Sequence, residues 1–129
     1  MHFFPGPAGA KEWTHAAYSP KTELFYVPIQ DVGAIAARRR REFKEGIPYW
    51  GAGVQVDLDE AVGYLSAFDA NGDEKWRWRN ELPMCASVLA TGGDLVFAGE
   101  PPASSTPTTP VPVSCCGSSS AVAAITAAR

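Results

Sequence analysis

Beyond Phe97 the sequence has no aromatic side chain, and beyond Glu100 no acidic one. The remaining positions are filled by Pro, Ala, Ser, Thr, Val, Gly and Cys, with one Ile and a terminal Arg129. Such a composition cannot build a packed core of its own. Other scarcities exclude further classes. Histidine occurs only as His2 and His15, and Cys85, Cys115 and Cys116 form neither a CxxC pair nor a Cys/His spacing. A zinc module is therefore excluded, and an odd number of cysteines with two adjacent is no disulfide framework. No apolar run approaches the ~18 residues of a membrane span. The start, "MHFFPGPAGAKEW", lacks a basic segment followed by an apolar one, so no signal peptide is expected in this chain. Net charge is −3, which argues against nucleic acid as a partner. The one cationic run, Arg38–Arg41, reads as a solvated loop face balanced by Glu42 and Glu45.

What is present is a succession of β-prone runs broken by turn signals. "HAAYS" (15–19) and "LFYVPI" (24–29) flank "PKTE", a turn with Pro20 at its start. Residues 31–50 break the pattern and are expected to form a surface loop, with a short helix around 34–43. "VGYLSAFD" (62–69) and "EKWRWR" (74–79) flank Asn71-Gly72, a strong signal for a two-residue primed hairpin turn. Alternation in "KWRWR" places Trp76 and Trp78 on one face and Lys75, Arg77 and Arg79 on the other. Asp69, Asp73 and Glu74 lack the spacing of a calcium loop, so they read as turn residues. "SVLAT" (87–91) and "DLVFAG" (94–99) flank Gly92-Gly93 as a further hairpin. The fold class is all-β and antiparallel, and the pattern alone leaves sandwich, barrel and propeller open.

Several stretches, among them "LATGGDLVFAG" (89–99), carry a resemblance. "AFDANGDEKWRW" (67–78) is similar to the "AxDxxTGxxxW" docking motif of pyrroloquinoline-quinone (PQQ) dependent alcohol dehydrogenases, through Ala67, Asp69, Gly72 and Trp76. The turn here is one residue shorter and lacks the Thr. "GAKEWTHAAYSPKTELFYVP" (9–28) and "YWGAGV" (49–54) resemble further family segments in the same order. The resemblance covers most of residues 6–100 and implies antiparallel four-stranded blades of an eight-bladed quinoprotein propeller, about one and a half of them here. In such a motif Asp and Gly shape the turn, and the Trp indole packs between neighbouring blades. The resemblance also implies PQQ and Ca²⁺ in the full-length family, a small alcohol as substrate, a catalytic Asp that takes its proton, and a periplasmic location. No position of this sequence matches the Ca²⁺ ligands or that Asp. Catalytic and metal-binding residues are therefore expected to be absent, and Asp31, Asp57 and Asp59 receive no catalytic role.

Two pairs of residues do correspond to cofactor-facing positions of the family. Glu12 and Trp13 stand in "KEW", where relatives have "NW"; a carboxylate accepts hydrogen bonds but, unlike the amide, does not donate them when ionised. Cys85 and Ala86 stand in "PMCASVLAT", where many relatives have "WGG" before "LAT". Packing at a blade entrance is the plainer reading of Glu12–Trp13, and a small core residue that of Cys85.

The blade pattern calls for another docking hairpin after Gly99, where the low-complexity tail begins. Codons allowed for "ASSTPTTPVPVSCCG" (103–117), read from the third base of the Pro102 codon, translate as "GEFYAYDARTGKLLW", a complete "AxDxxTGxxxW" motif. Loss of one base just after Pro101 would produce the switch. Residues 1–101 are accordingly read as a partial propeller segment, and 102–129 as a disordered tail translated from a shifted frame. The other reading of the tail is a genuine Ser/Thr/Pro-rich linker or stalk. For function, the leading reading is a piece of a quinoprotein dehydrogenase, inactive alone. The alternatives are a non-catalytic propeller repeat acting as a protein-binding scaffold and, more remotely, a β-sandwich adhesion domain. The "GAKEW…YSPKTELFYVP" match favours the enzyme. With open edges and apolar faces, one and a half blades are expected to be poorly soluble or partly unfolded alone.

Overall fold

A computed structural model describes residues 1–38, 42–47, 49, 51 and 53–99, together with the backbone of 100 and 121–126. Eight strands are found there: β1 (His2–Phe3), β2 (Ala17–Ser19), β3 (Leu24–Ala37), β4 (Gly53–Phe68), β5 (Glu74–Asn80), β6 (Val88–Ala90), β7 (Leu95–Glu100) and β8 (Ala121–Thr126). Among the described residues there is no helix. Strands β2 to β5 form an antiparallel meander, the four-stranded blade expected from the sequence. Residues 1–19 run antiparallel along the open side of β3, touching it through β1, an Ala10–Gln30 bridge and β2. Strands β6, β7 and β8 form a second sheet.

The side-chain period of two explains which residues meet. Tyr26 lies opposite Ala67, which lies opposite Trp76; Pro28 lies opposite Leu65, which lies opposite Trp78. That face turns to the second sheet, and Tyr26, Leu65, Ala67, Met84, Val88, Val96 and Ala98 form one buried cluster with Trp76 and Trp78 packed on it. Burying a large apolar side chain here stabilises by ~1.5–3 kcal/mol relative to exposure, so this seam holds the two sheets together. The rings of Tyr26 and Trp76 lie 5.8 Å apart, and the Tyr26 hydroxyl is 2.8 Å from Thr22 Oγ1. Lys75, Arg77 and Arg79 point away from this seam, and charges along β5 guard an edge that would otherwise pair with another chain.

Three expectations need correcting. Residues 34–37 are strand rather than helix: Ala34–Ala37 pair with Val56, Gln55, Val54 and Gly53. Residues 31–37 therefore continue β3 instead of opening a loop, with a register shift between Asp31 and Gly33. Cross-strand pairing has overridden the local propensity of an Ala-rich run. The docking turn is not a two-residue primed turn either. Gly72 N–H donates to the Asp69 carbonyl (3.1 Å), Asp69 N–H donates to the Asp73 carbonyl (3.0 Å), and only Gly72 of the turn residues has positive φ, at 90°. This is a longer turn closed by a left-handed glycine, the bulged alternative. The Asp69 carboxylate accepts from the N–H groups of Asn71 and Asp73, so it shapes the turn as the motif requires.

The tail expected over 102–129 lies outside the described residues except for 121–126, which pair with β7. Cys115 and Cys116 also lie outside them. So do Arg39–Arg41; Arg38, Glu42 and Glu45 are exposed, as a solvated loop face requires.

Candidate functional site

The turns and the candidate residues occupy opposite ends of the blade. At one end the turns around 19–23, 69–73 and 91–94 gather, and Lys21 Nζ meets Asp94 Oδ2 at 3.0 Å. Here Lys75 donates to Asp69 at 2.7 Å and, with the turn amides, holds that carboxyl down at about 2 from an ordinary 3.8. Asp69 in turn pushes Lys75 up, and the Arg77 guanidinium at 2.7 Å from Glu74 lowers that carboxyl. A groove lined by Lys21, Glu23, Leu24, Asp69, Lys75 and Trp76 opens at this end. Lys75 is paired with Asp69 and Lys21 with Asp94, and the groove is a product of the turns.

The other end begins at a row of facing residues, Gln30, Gly63 and Asn80. Six residues along β3 from the turns, this row lies ~20 Å away at 3.3–3.4 Å per residue. Past Asn80 the chain folds back over Gly63. A Cβ at Gly63 would overlap the Leu82 carbonyl oxygen and stand 2.7 Å from Met84 N, so only glycine admits this return. Asn80 Nδ2 donates to the Leu82 carbonyl at 3.1 Å, and Met84 is sunk in the core at 1% exposure. Anchored this way, the half-buried Cys85 directs its thiol at Gln30 Oε1, 3.5 Å away, and half-buried Ala86 comes directly after it.

Gln30 also receives the other candidate pair. Its N–H donates to the Ala10 carbonyl at 2.8 Å, just before "KEW". Lys11 Nζ donates to the carbonyls of Glu12 and Thr14, folding the segment into a tight loop over buried Thr14. Glu12 is half-buried, and the indole of Trp13 stands out at 63% exposure. His15 then closes onto the second sheet. Its N–H donates to Ser87 Oγ (3.0 Å), its carbonyl accepts from Val88 N–H (2.9 Å), and its Nδ1 lies 3.3 Å from Ser87 Oγ.

The structure thus brings Glu12–Trp13 and Cys85–Ala86 to one end of the blade, through contacts between residues 72 positions apart. Sequence reasoning missed the three residues that make this connection, His15, Ser87 and Gln30. Only Gln30 left a trace, as the polar residue ending the apolar run "LFYVPIQ". Asp57 meets His2 at 2.9 Å, and Asp59 N–H donates to Asp57 Oδ1, so both belong to the β3–β4 arm. Among the described residues no three His, Cys, Asp or Glu side chains converge to hold a metal ion. Among them, too, no helix is long and apolar enough to cross a membrane.

Comparison with known proteins bears on the family and the fold. No family model matches the chain. It is 39% identical over 103 residues to the quinoprotein alcohol dehydrogenase PedH of Pseudomonas putida, a match covering 76% of this chain and 17% of the relative. To the quinoprotein ethanol dehydrogenase of Pseudomonas aeruginosa it is 38% identical over 94 residues, covering 70% of this chain and 15% of the relative. The chain belongs to the quinoprotein alcohol dehydrogenase family. Among solved structures it is similar to a europium-containing methanol dehydrogenase, with a TM-score of 0.60, 29% identity, and coverage of 75% of this chain and 18% of the other. A quinohemoprotein alcohol dehydrogenase from Pseudomonas putida HK5 shares the fold at a TM-score of 0.63. These relatives are β-propellers, which decides between the three architectures the sequence pattern left open. The chain spans 15–17% of the length of the curated relatives it matches.

Proposed function

We propose that this chain is one stretch of a quinoprotein dehydrogenase that oxidises an alcohol by hydride transfer to PQQ, and that it is catalytically incomplete alone. The observation that carries the reading is the clasp of His15 on Ser87 and Val88, which places Glu12–Trp13 beside the segment holding Cys85–Ala86. PQQ is planar and anionic, and when bound it supplies the hydride acceptor. The exposed Trp13 indole offers a flat apolar face against such a ring and excludes water from it. Glu12 differs from the amide in the family pattern, since its carboxylate accepts hydrogen bonds and repels an anionic group. Cys85, at the position of a Trp in many relatives, offers no second stacking surface, and its thiol faces Gln30 instead. Ca²⁺ and the proton-accepting Asp would come from other parts of a longer protein, whose setting would be extracytoplasmic.

The domain reading has the same logic. Residues 1–101 are a propeller segment, and 102–129 a translation from a shifted frame. Supporting it, the shifted frame supplies a docking hairpin where the second sheet needs a strand beside β7, the edge on which 121–126 lie. The test joins residues 1–101 in the corrected frame to the flanking coding sequence and measures alcohol-dependent dye reduction with added PQQ and Ca²⁺. Activity is expected from the extended protein, and no stoichiometric PQQ binding from the 129-residue chain. A folded extended protein that binds no PQQ would overturn the reading in favour of the scaffold propeller.

A further inference from the structure

The docking turn of this chain holds a reactive pair that the motif it resembles lacks. That motif places Thr before its glycine, whereas here Asn71 precedes Gly72, so a side-chain amide stands next to an unhindered peptide nitrogen. Both residues are exposed, and a Cβ at Gly72 would meet no atom within 4 Å. The Asn71 side chain bonds to no other described residue. Asn80, the only other asparagine in the sequence, is the opposite case. It is half-buried, its Nδ2 donates to the Leu82 carbonyl at 3.1 Å, and the bulkier Glu81 follows it.

Asp69 controls the geometry around the pair. Its Oδ1 accepts from Asn71 N–H at 2.9 Å and from Asp73 N–H at 3.0 Å, and its carbonyl accepts from Gly72 N–H at 3.1 Å. In the closed turn the Gly72 nitrogen is therefore engaged, and only local opening frees it.

We propose that Asn71–Gly72 is a site of spontaneous deamidation, with Asp69 as the gate that sets its rate. When the turn opens, the Gly72 nitrogen attacks Asn71 Cγ. The N–Cγ bond forms, the Cγ–Nδ2 bond breaks, and the Gly72 amide proton leaves with Nδ2 as ammonia. Water then opens the resulting succinimide, at Cγ to give aspartate or at the backbone carbonyl carbon to give isoaspartate. No electrons are transferred, and water is the only other reactant. Either product adds negative charge to a turn that already carries Asp69 and Asp73. Isoaspartate also lengthens the main chain by a methylene, which pulls Gly72 N–H away from the Asp69 carbonyl and leaves the turn without its closing bond. The inference rests on this turn alone and is independent of the dehydrogenase reading.

The test incubates the full-length chain in mildly alkaline buffer and follows Asn71 and Asn80 by peptide mass spectrometry, with ammonia release and enzymatic isoaspartate methylation as second readouts. A free peptide "AFDANGDEKW" (67–76) gives the ungated rate. The folded chain is expected to convert Asn71 to aspartate and isoaspartate several-fold more slowly than the peptide, while Asn80 keeps its amide. Asp69→Ala, checked for retained β-sheet circular dichroism, removes the side-chain acceptor and should convert several-fold faster than the unsubstituted chain. Should that variant lose its sheet signal, the unsubstituted chain in urea repeats the comparison and should convert at the peptide rate. Conversion no faster at Asn71 than at Asn80, or equal rates at Asn71 in the folded and the opened turn, overturns the proposal.

Discussion

Replacing Glu23 with glycine should make the chain more stable, although it removes a side chain and adds none. Glu23 has φ 57°, in the left-handed region, as do Gly72 at 90° and Asp94 at 62°. All three occupy the closing position of a hairpin turn. The 69–73 and 91–95 turns share one hydrogen-bond pattern: Asp94 N–H donates to the Thr91 carbonyl and Thr91 N–H to the Leu95 carbonyl. The 19–23 turn is closed by Glu23 N–H on the Ser19 carbonyl at 2.9 Å. A non-glycine residue held left-handed costs roughly 1–2 kcal/mol. Glycine returns about 0.5–1 kcal/mol of this through the greater freedom of the unfolded chain. Glu23→Gly should therefore gain about 0.5–1 kcal/mol. Gly72→Ala should lose about 1 kcal/mol or more from backbone strain alone, since no atom lies within 4 Å of the added Cβ. Asp94→Gly should change little, because Asp tolerates this region and its exposed pair with Lys21 contributes at most about 1 kcal/mol. Urea titrations at one fixed protein concentration would read these as midpoint shifts of about 0.2–1 M, upward for Glu23→Gly and downward for Gly72→Ala. A lower midpoint for Glu23→Gly with an unchanged slope would refute the reasoning.

Three other perturbations probe the same geometry. Gly63→Ala forces backbone atoms of Leu82 and Met84 to move and should cost about 1–3 kcal/mol, seen as a lower urea midpoint; an unchanged midpoint would show that the 82–84 return is not fixed by the missing Cβ. Ser87→Ala removes the acceptor for His15 N–H and should cost about 0.5–1.5 kcal/mol, with faster amide exchange at His15 by mass spectrometry or NMR as its local mark. Asp69 has its carboxyl depressed to about 2 in the folded chain, so its contribution is complete above pH ~4 and disappears as the pH falls toward 2. Asp69→Asn should flatten the acid limb of stability between those values, and an unaltered limb would mean the Lys75 pair is not formed.

The sequence carried the strands best where period-two alternation and turn residues agreed. "EKWRWR" became β5 with its tryptophans on the buried seam, because alternation and burial ask for the same arrangement. "DVGAIAA" misled because its alanines favour helix, while the partner that makes it strand, Val54–Asp57, lies some twenty residues further on. Asn71-Gly72 announced a hairpin correctly but not its type, since the Asp69 side chain draws in the amides of Asn71 and Asp73 and lengthens the turn. The candidate site was legible as two separate pairs of residues. That they share one end of the blade depends on His15, Ser87 and Gln30, which form no local pattern and meet only when the two sheets pack.

The central claim is that a quinoprotein propeller segment runs to Pro101 and that the residues after it belong to another reading frame. Sequencing the DNA that encodes residues 97–129 tests it most directly. The account predicts codons that, shifted by one base after Pro101, spell a docking hairpin containing "AYDARTGKLLW". Codons incompatible with that text would contradict it and leave the Ser/Thr/Pro-rich tail as the protein's own.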